Sequence, residues 1–217
     1  MVKKEDVCAH IEEIGILPAI RVSSAEEALF AAEQMFKWGI NVVELTMTVP
    51  GAIQVIADLV RTRPKLLVGA GTVLDPETAR ACIDAGATFV TSPGINLKIV
   101  EFAVRHNVAA IPGALTPTEV MMAHDAGADM IKIFPCAAVG GPSYIKALKA
   151  PFPHVPLIAS GGVDQVTAGE FIRAGAVALG IGSKLIPPEA VERRDQNWIH
   201  ELTGRFLSIV QRARTEV

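Results

Sequence analysis

A lysine stands in the middle of an apolar segment of the sequence, where charged residues are rare. The segment 129–134 has the sequence DMIKIF, so that Lys132 lies between two isoleucines. In a strand, side chains alternate between faces, which places Met130, Lys132 and Phe134 together on one face. Burial disfavours an ammonium group and leaves more of the neutral amine, the nucleophile that imine formation requires. We therefore predict that Lys132 is a Schiff-base lysine; the alternative is a structural lysine, paired with an internal carboxylate or reaching outward.

A glutamate interrupts a second apolar segment in the same way. The segment 41–47 has the sequence NVVELTM, and alternation places Val42, Glu44 and Thr46 on one face. Glu44 is the natural carboxylate partner for Lys132, and a carboxylate in a partly apolar site can carry protons during imine chemistry. The alternative is a buried ion pair without a chemical role, which is weak evidence for stability because both charges are desolvated.

Arg21 is a third candidate, at the end of the segment 17–22 (LPAIRV). A guanidinium group grips a planar carboxylate with paired hydrogen bonds, so Arg21 could hold an organic acid. It could equally bind backbone carbonyls at the strand ends.

Two glycine-containing segments, 160–163 (SGGV) and 180–183 (GIGS), follow the last two apolar segments. Glycines let backbone N–H groups approach an anion, and a following helix adds its positive end. We therefore predict a phosphate site there, although each motif alone also fits a tight turn.

Eight short segments rich in β-branched residues alternate with helical stretches along the whole chain, and their starts lie 20 to 26 residues apart. That spacing holds one strand and one helix with short loops. The candidate strands are 17–22, 41–47, 66–70, 88–91, 109–112, 129–134, 155–160 and 177–182.

Local signals mark both ends of the intervening helices. Ser23 or Ser24, Asp75 and Thr116 are N-cap candidates, and several helices end at a glycine that suits a left-handed C-cap. Eight such units predict an α/β fold, a (β/α)8 TIM barrel formed by residues 1–217 as one domain. The segments before residue 15 and after residue 188 are predicted to be extra helices, and an open doubly wound sheet is the alternative.

Composition excludes several function classes. The 217 residues carry a net charge of −3 with dispersed lysines and arginines, so we expect no nucleic-acid partner. The three cysteines and five histidines lack the spacing of a metal site or a disulfide framework, so neither a metal nor a cofactor is expected. The longest apolar runs are too short to span a membrane, and the first residues lack a signal-peptide core, which predicts a cytoplasmic protein.

The sequence resembles a known family through nine motifs that run in order from residue 16 to about 185. The motifs are Pro18-Ala19-Ile20-Arg21, Val43-Glu44-Leu45-Thr46, 68–74 (VGAGTVL), Ser92-Pro93-Gly94, Ile111-Pro112-Gly113, Lys132-Ile133-Phe134-Pro135, 144–148 (YIKAL), Gly161-Gly162-Val163 and Gly182-Ser183. The family that they resemble comprises the bacterial 2-keto-3-deoxy-6-phosphogluconate (KDPG) aldolases, the bifunctional 4-hydroxy-2-oxoglutarate (KHG) aldolases and the related phosphogalactonate enzymes.

The resemblance implies a class I aldolase that cleaves KDPG to pyruvate and glyceraldehyde 3-phosphate, needs no cofactor and assembles as a homotrimer. Lys132 corresponds to the imine-forming lysine and Glu44 to the general acid and base. The other residues carried over bind substrate. Thr72, Pro93 and Phe134 shape the pyruvate site, whereas Gly161, Gly162 and Ser183, with Gly182 from the same loop, bind phosphate.

Two positions depart from the family pattern. The phosphogluconate enzymes usually have an arginine where this chain has Thr48, and Arg21 is expected to supply that charge to the substrate carboxylate instead. Ala159-Ser160 replaces a common Pro-Thr pair, so Ser160 keeps the substrate-ordering hydroxyl but not the methyl group. Specificity for gluconate or galactonate, and a second activity that cleaves KHG to pyruvate and glyoxylate, both remain open from the sequence.

Two other functions compete with this prediction. A sugar-phosphate epimerase or isomerase would keep the phosphate loops but would use carboxylate pairs, metals or cysteine bases. A non-catalytic sensor of a phosphorylated ligand would also keep the loops, but it has no need for both Lys132 and Glu44.

Overall fold

The computed structural model describes residues 2–216 as a parallel barrel surrounded by helices. The strands are β1 (Ile16–Ile20), β2 (Val42–Thr46), β3 (Leu67–Gly71), β4 (Phe89–Thr91), β5 (Ala109–Ile111), β6 (Gly113–Ala114), β7 (Ile131–Ile133), β8 (Leu157–Ser160) and β9 (Ala176–Ile181). The helices are α1 (Lys4–Ile14), α2 (Ala25–Lys37), α3 (Ala52–Thr62), α4 (Pro76–Asp84), α5 (Leu97–Arg105), α6 (Pro117–Asp125), α7 (Pro142–Lys149), α8 (Ala168–Arg173), α9 (Pro188–Glu192) and α10 (Gln196–Thr215).

The nine strand segments occupy eight positions around the barrel. All neighbours are parallel in the order β5-β4-β3-β2-β1-β9-β8-β7-β6. β5 pairs with β4 and β6 pairs with β7, so the two segments on either side of Pro112 close the barrel. Proline lacks an N–H group for the ladder, which accounts for the break. The predicted (β/α)8 fold is confirmed. The strand predicted over 109–112 is present as β5 and ends one residue earlier, at Ile111, while the short segment β6 was not predicted.

The helix boundaries follow the predicted local signals. The side chains of Ser24 and Asp75 accept hydrogen bonds from backbone N–H groups three residues later, and Thr116 forms a full capping box with Glu119. After four helices a glycine adopts the left-handed conformation that L-residues avoid. These are Gly39, Gly86, Gly127 and Gly175, with φ between 87° and 104°.

The N-terminal helix lies across one end of the barrel, because the strands it contacts are on opposite sides, and the C-terminal helices pack against other helices. α1 contacts β1, β5 and β9 with its buried residues Val7 and Ile11. The C-terminal segment forms two helices rather than one, and α10 packs against α8, α2 and α9. Among residues 2–216 no helix has the length and apolar character needed to cross a membrane.

Glycines on β3 make room for larger side chains inside the barrel. A Cβ atom on Gly69 would lie 2.2 Å from the ring of Phe89, and one on Gly71 would lie 2.3 Å from Glu44 Oε1. Residues 69 and 71 share a face of the strand, so Phe89 fills the barrel below the level at which Glu44 lies. The upper interior is thereby left to polar side chains.

Candidate active site

Lys132 and Glu44 meet inside the barrel. Lys132 Nζ donates hydrogen bonds to Glu44 Oε1 and Oε2, over 3.3 and 3.2 Å. The lysine is 7% exposed and the glutamate 1% exposed. They lie on β7 and β2, with the remaining strands closing the barrel around them. The buried pair keeps an amine and a carboxylate within proton-transfer reach of each other.

Gly71 fixes the position of the Glu44 carboxylate. It pairs with Thr46 on the neighbouring strand, two residues beyond the Glu44–Gly69 pair, and the Glu44 side chain reaches over it. Any side chain at residue 71 would overlap Glu44 Cγ and Cδ, since a Cβ atom there would lie 2.5 and 2.6 Å from them. We did not single out Gly71 in the sequence, although it lies within the VGAGTVL motif. The glycine is needed because the carboxylate fills the space that a Cβ atom would occupy.

A cavity of about 410 Å³ opens at the carboxyl ends of the strands, above the buried pair. This is the size range of small-molecule sites. Both members of the pair and Phe134 line it, together with six further predicted residues. These are Arg21, Ser160, Gly161, Gly162, Gly182 and Ser183.

The two other predicted substrate residues lie outside that lining. Thr72 directly follows β3, has φ of 58° and accepts a long hydrogen bond of 3.5 Å from Arg21 Nη2. Pro93 packs against Gly113, on which a Cβ atom would lie 2.3 Å from the Pro93 carbonyl carbon. Arg21 therefore connects Thr72 to the cavity, whereas Pro93 contacts the strand that closes the barrel.

The hydroxyl of Thr48 is bound to a neighbouring threonine. Thr46 Oγ1 donates to the carbonyl oxygen of Ile20 over 2.9 Å, so its single proton is used. The 2.8 Å contact between Thr46 Oγ1 and Thr48 Oγ1 therefore has Thr48 as donor. Thr48 therefore supplies no positive charge to a substrate carboxylate, and Arg21 is the arginine among the residues that line the cavity.

The loop after β8 lies directly against the segment after β7. Gly161 and Gly162 both have φ of 86°, and a Cβ atom on Gly162 would lie 2.3 Å from Ala137 Cβ. The N–H groups of Cys136 and Ala137 donate to the carbonyl oxygens of residues 160 and 161, over 2.9 and 3.0 Å. Only glycine combines this backbone conformation with such a close approach.

Two further side chains shape the cavity near the amine. Lys132 Nζ lies 5.9 Å from the centre of the Phe134 ring, within reach of a cation–π contact. Ser160 Oγ donates to the carbonyl oxygen of Gly180 over 3.3 Å and is otherwise buried. The amine therefore has an aromatic wall beside it, and a hydroxyl stands at the edge of the β8 loop.

The cysteine nearest to the cavity is poorly suited to act as a base. Cys136 is buried, and burial raises the pKa of its thiol to about 11. A thiol with that pKa remains protonated at neutral pH, whereas catalytic cysteines need the thiolate. The cysteine-base chemistry of an epimerase therefore has no support at this position.

Lys184 and Thr91 were also missed in the sequence. Lys184 lines the cavity next to Ser183, and its only signal was a cation directly after the GIGS loop. Thr91 is fully buried on β4, and its hydroxyl has no hydrogen-bond partner within the described part of the chain. Thr91 alternates with Phe89, so the strand pattern alone could have placed it inside the barrel.

Residues 2–216 contain no group of three histidine, cysteine or acidic side chains that could hold a metal ion. The groups that line the cavity supply a primary amine, a carboxylate, a guanidinium group and glycine loops. That set can bind a carbonyl covalently, move protons beside it and hold anionic groups of a ligand.

Comparisons with known proteins show which family the chain resembles. The family model "Aldolase: KDPG and KHG aldolase" matches residues 7–202. A 2-dehydro-3-deoxy-phosphogluconate aldolase from Pseudomonas aeruginosa is 32% identical over 195 residues, which cover 90% of this chain and 89% of the relative.

Two solved structures have nearly the same fold. A native KDPGal structure superposes with a TM-score of 0.84 at 33% identity, and the match covers 92% of this chain and 96% of the other. The KDPG aldolase from Legionella pneumophila, with pyruvate captured at low pH as a covalent carbinolamine intermediate, superposes with a TM-score of 0.83 at 32% identity. That match covers 89% of this chain and 94% of the other.

Proposed function

The chain belongs to the KDPG and KHG aldolase family, and we propose that Lys132 and Glu44 carry out the imine chemistry of that family in this barrel. The protein is an aldehyde-lyase that reversibly cleaves KDPG to pyruvate and glyceraldehyde 3-phosphate through a lysine Schiff base. The observation that supports the two assignments is the buried contact of 3.2 to 3.3 Å between the Lys132 amine and the Glu44 carboxylate.

The first half of the reaction joins the substrate to the protein. Lys132 first gives a proton to Glu44, and its neutral amine then attacks the C2 carbonyl, whose oxygen takes up the second amine proton to form a carbinolamine. Glu44 then acts as the general acid for loss of the hydroxyl group as water, which leaves a protonated imine. Because the carboxylate is held beside the amine by Gly71, it needs no rearrangement to receive or return a proton.

The second half breaks the carbon–carbon bond. The protonated imine withdraws electrons, so the C3–C4 bond breaks when the C4 hydroxyl gives its proton to Glu44 and becomes the aldehyde. The electron pair of that bond forms the enamine of pyruvate. Protonation at C3 and hydrolysis of the imine release pyruvate and return Lys132 to its starting state. The imine itself is the electrophile, so the step requires no metal ion.

Trapping with borohydride tests this proposal directly. Incubation with pyruvate followed by borohydride reduces the imine to a stable amine, which peptide mass spectrometry locates. An adduct on Lys132 supports the assignment. The absence of an adduct, or an adduct on another lysine, would overturn it.

Arg21 is proposed to hold the carboxylate of pyruvate in place of the arginine missing at residue 48. It lines the cavity just after β1 and reaches past β2 towards Thr72 at the end of β3. We expect Arg21→Gln to raise the pyruvate concentration needed for half-maximal trapping by about 10-fold or more, because paired charge-assisted hydrogen bonds are lost.

The matched control is Arg61→Gln, which removes an exposed arginine paired with Asp58 on α3. Titration of the borohydride-trapped adduct gives the apparent affinity of each variant. If the affinity for pyruvate is unchanged in Arg21→Gln, Arg21 does not bind the substrate carboxylate and instead stabilises the strand ends.

Gly71→Ala is expected to displace the Glu44 carboxylate while both proposed catalytic residues keep their identity. A Cβ atom there would lie 2.3 Å from Glu44 Oε1, so the carboxylate must move. Misplacement of a catalytic group by about 1 Å costs on the order of 100-fold in turnover. Gly94→Ala is the control, since a Cβ atom at Gly94 meets nothing within 4 Å. Equal kcat values for KDPG cleavage by both variants would contradict the role of Gly71.

The phosphate of KDPG is proposed to bind at Gly161, Gly162, Gly182 and Ser183. Those residues line the cavity on the β8 and β9 side, where barrel enzymes often bind phosphate. Ser160 and Phe134 are proposed to order the substrate beside the amine. Cleavage of KHG to pyruvate and glyoxylate uses the same imine steps and is a second proposed activity.

Three further predictions derive from the sequence and the family resemblance. We infer a homotrimer because the resembled enzymes assemble in that way. We also keep the predictions that residues 1–217 form one domain and that the protein works in the cytoplasm.

A further inference from the structure

The loops after β8 and β9 carry a cation that the proposed mechanism does not use. Lys184 lines the cavity together with Gly161, Gly162 and Ser183. Its side chain is exposed, and none of the ion pairs among residues 2–216 includes it. The ammonium group is therefore available to a ligand that enters the cavity.

Backbone donors accompany this cation. Between residues 2 and 216, no hydrogen bond uses the backbone N–H of Gly162, Ser183 or Lys184, and all three lie outside helices and strands. Carbonyl oxygens of both loops are in use by comparison, since Gly161 accepts from Ala137 and Gly182 accepts from Leu185 and Ile186. The two loops thus offer free backbone donors beside a positive charge, a combination that can bind an anion.

The charged groups of the cavity have different surroundings. Lys132 and Glu44 compensate each other in the barrel interior. Arg21 follows β1 and is directed towards Thr72 at the end of β3. Lys184 follows β9, so it adds a positive charge beside the glycine loops.

Asp164 lies near Lys184 but forms no ion pair with it. Hydrogen bonds from Thr167, through its backbone and its hydroxyl, hold the pKa of Asp164 below the ordinary value, and the charge of Lys184 adds to that effect. The Asp164 carboxylate accepts three bonds from its own turn, at 2.9 to 3.0 Å. Lys184 is close enough to influence the Asp164 carboxylate electrostatically, but the two residues form no salt bridge.

We propose that Lys184 binds the phosphate group of the substrate and makes the enzyme prefer phosphorylated over unphosphorylated substrates. This inference rests on the proposed function of the cavity and adds a specificity residue to it. A lysine ammonium is a compact charge with three donors, which suits a terminal phosphate. Since the group lies away from the reacting carbons, its contribution is to binding and not to bond cleavage.

Lys184→Gln tests the inference with two substrates that differ only in the phosphate, KDPG and 2-keto-3-deoxygluconate. We expect kcat/KM for KDPG to fall about 10-fold, mainly through KM, because one charge-assisted contact is lost. The value for 2-keto-3-deoxygluconate is expected to change by less than about 2-fold, which is within the usual effect of a surface substitution. Inorganic phosphate is expected to inhibit the variant more weakly than the wild type.

Lys184→Arg keeps the charge and should retain most of the KDPG activity. Lys65→Gln removes an exposed lysine outside the cavity and should leave both substrates unaffected. Since solvent ions screen exposed charges, raising the ionic strength should narrow the difference in KM for KDPG between wild type and Lys184→Gln.

An equal loss with both substrates would assign Lys184 to loop structure and overturn the inference, as would an unchanged KM for KDPG. Pyruvate trapping separates this result from failure of the proposed function. If the wild type forms the Lys132 adduct but Lys184→Gln has wild-type kinetics, only the inference about Lys184 fails and the aldolase assignment remains. If the wild type forms no adduct, both the aldolase assignment and the inference about Lys184 fail.

Discussion

Lys132→Met is expected to lower kcat/KM for KDPG cleavage by at least about 10⁴-fold, because the covalent bond to the substrate forms on the Lys132 amine. The variant should also give no borohydride adduct with pyruvate. Removal of the amine leaves the Glu44 carboxylate buried without its cation, which costs about 3–5 kcal/mol of stability when the charge persists. A loss of activity in this variant alone would therefore have two explanations.

Lys132→Arg separates them. The guanidinium group keeps a cation beside Glu44, yet it stays protonated in proteins and cannot form the imine. We expect this variant to remain folded, by thermal unfolding, and to lack both activity and adduct. Activity within about 100-fold of the wild type in either variant would contradict a role for Lys132 as nucleophile.

Glu44→Gln is expected to lower kcat by about 10²- to 10⁴-fold, the usual contribution of a general acid–base group. The amide has nearly the shape of the carboxylate but cannot accept and return a proton. Because Lys132 is still present, pyruvate should still be trapped by borohydride, although more slowly. KM should change much less than kcat, since Glu44 is proposed to act on the reacting atoms and not on the phosphate or carboxylate of the substrate.

Exchange of the pyruvate methyl protons with solvent deuterium gives the sharpest measurement of this role. Exchange requires the imine and enamine to interconvert, and therefore a proton carrier beside C3. We expect wild type to exchange, Glu44→Gln to exchange more slowly by the same factor as kcat, and Glu44→Asp to lie between them. The aspartate keeps a carboxylate, but its side chain is shorter by one methylene, so the carboxylate lies farther from the reacting atoms. Exchange at the wild-type rate in Glu44→Gln would place the proton carrier elsewhere.

The positions of strands and helices could be predicted from the sequence because the signals are local. The β-branched segments alternate with stretches whose caps are a few residues long, and caps such as Ser24 and Thr116 act on backbone groups within three residues. The segment β6 was not predicted. It depends on pairing with β7 beyond Pro112, and pairing between distant strands leaves no local signal.

Candidate chemistry could also be predicted, because a charge in an apolar strand is unusual wherever the strand lies. Alternation assigned Lys132 and Glu44 to particular strand faces, and the order of the motifs identified the family resemblance. Alternation could not supply the neighbours of a side chain. Gly71, whose missing Cβ atom positions Glu44, and Lys184, which faces the β8 and β9 side of the cavity, were therefore missed.

The sequence by itself determined the eight-unit barrel, the kind of chemistry and the two residues proposed to carry it, since each depends on residue type and short-range spacing. The tertiary structure decided which of these residues meet. Lys132 and Glu44 are 88 residues apart, and only the closure of the sheet brings the amine within 3.3 Å of the carboxylate. The same closure places Arg21 beside Thr72 and directs Pro93 towards Gly113. Contacts of this kind depend on strand register around the whole barrel, which is a property of all eight strand positions together.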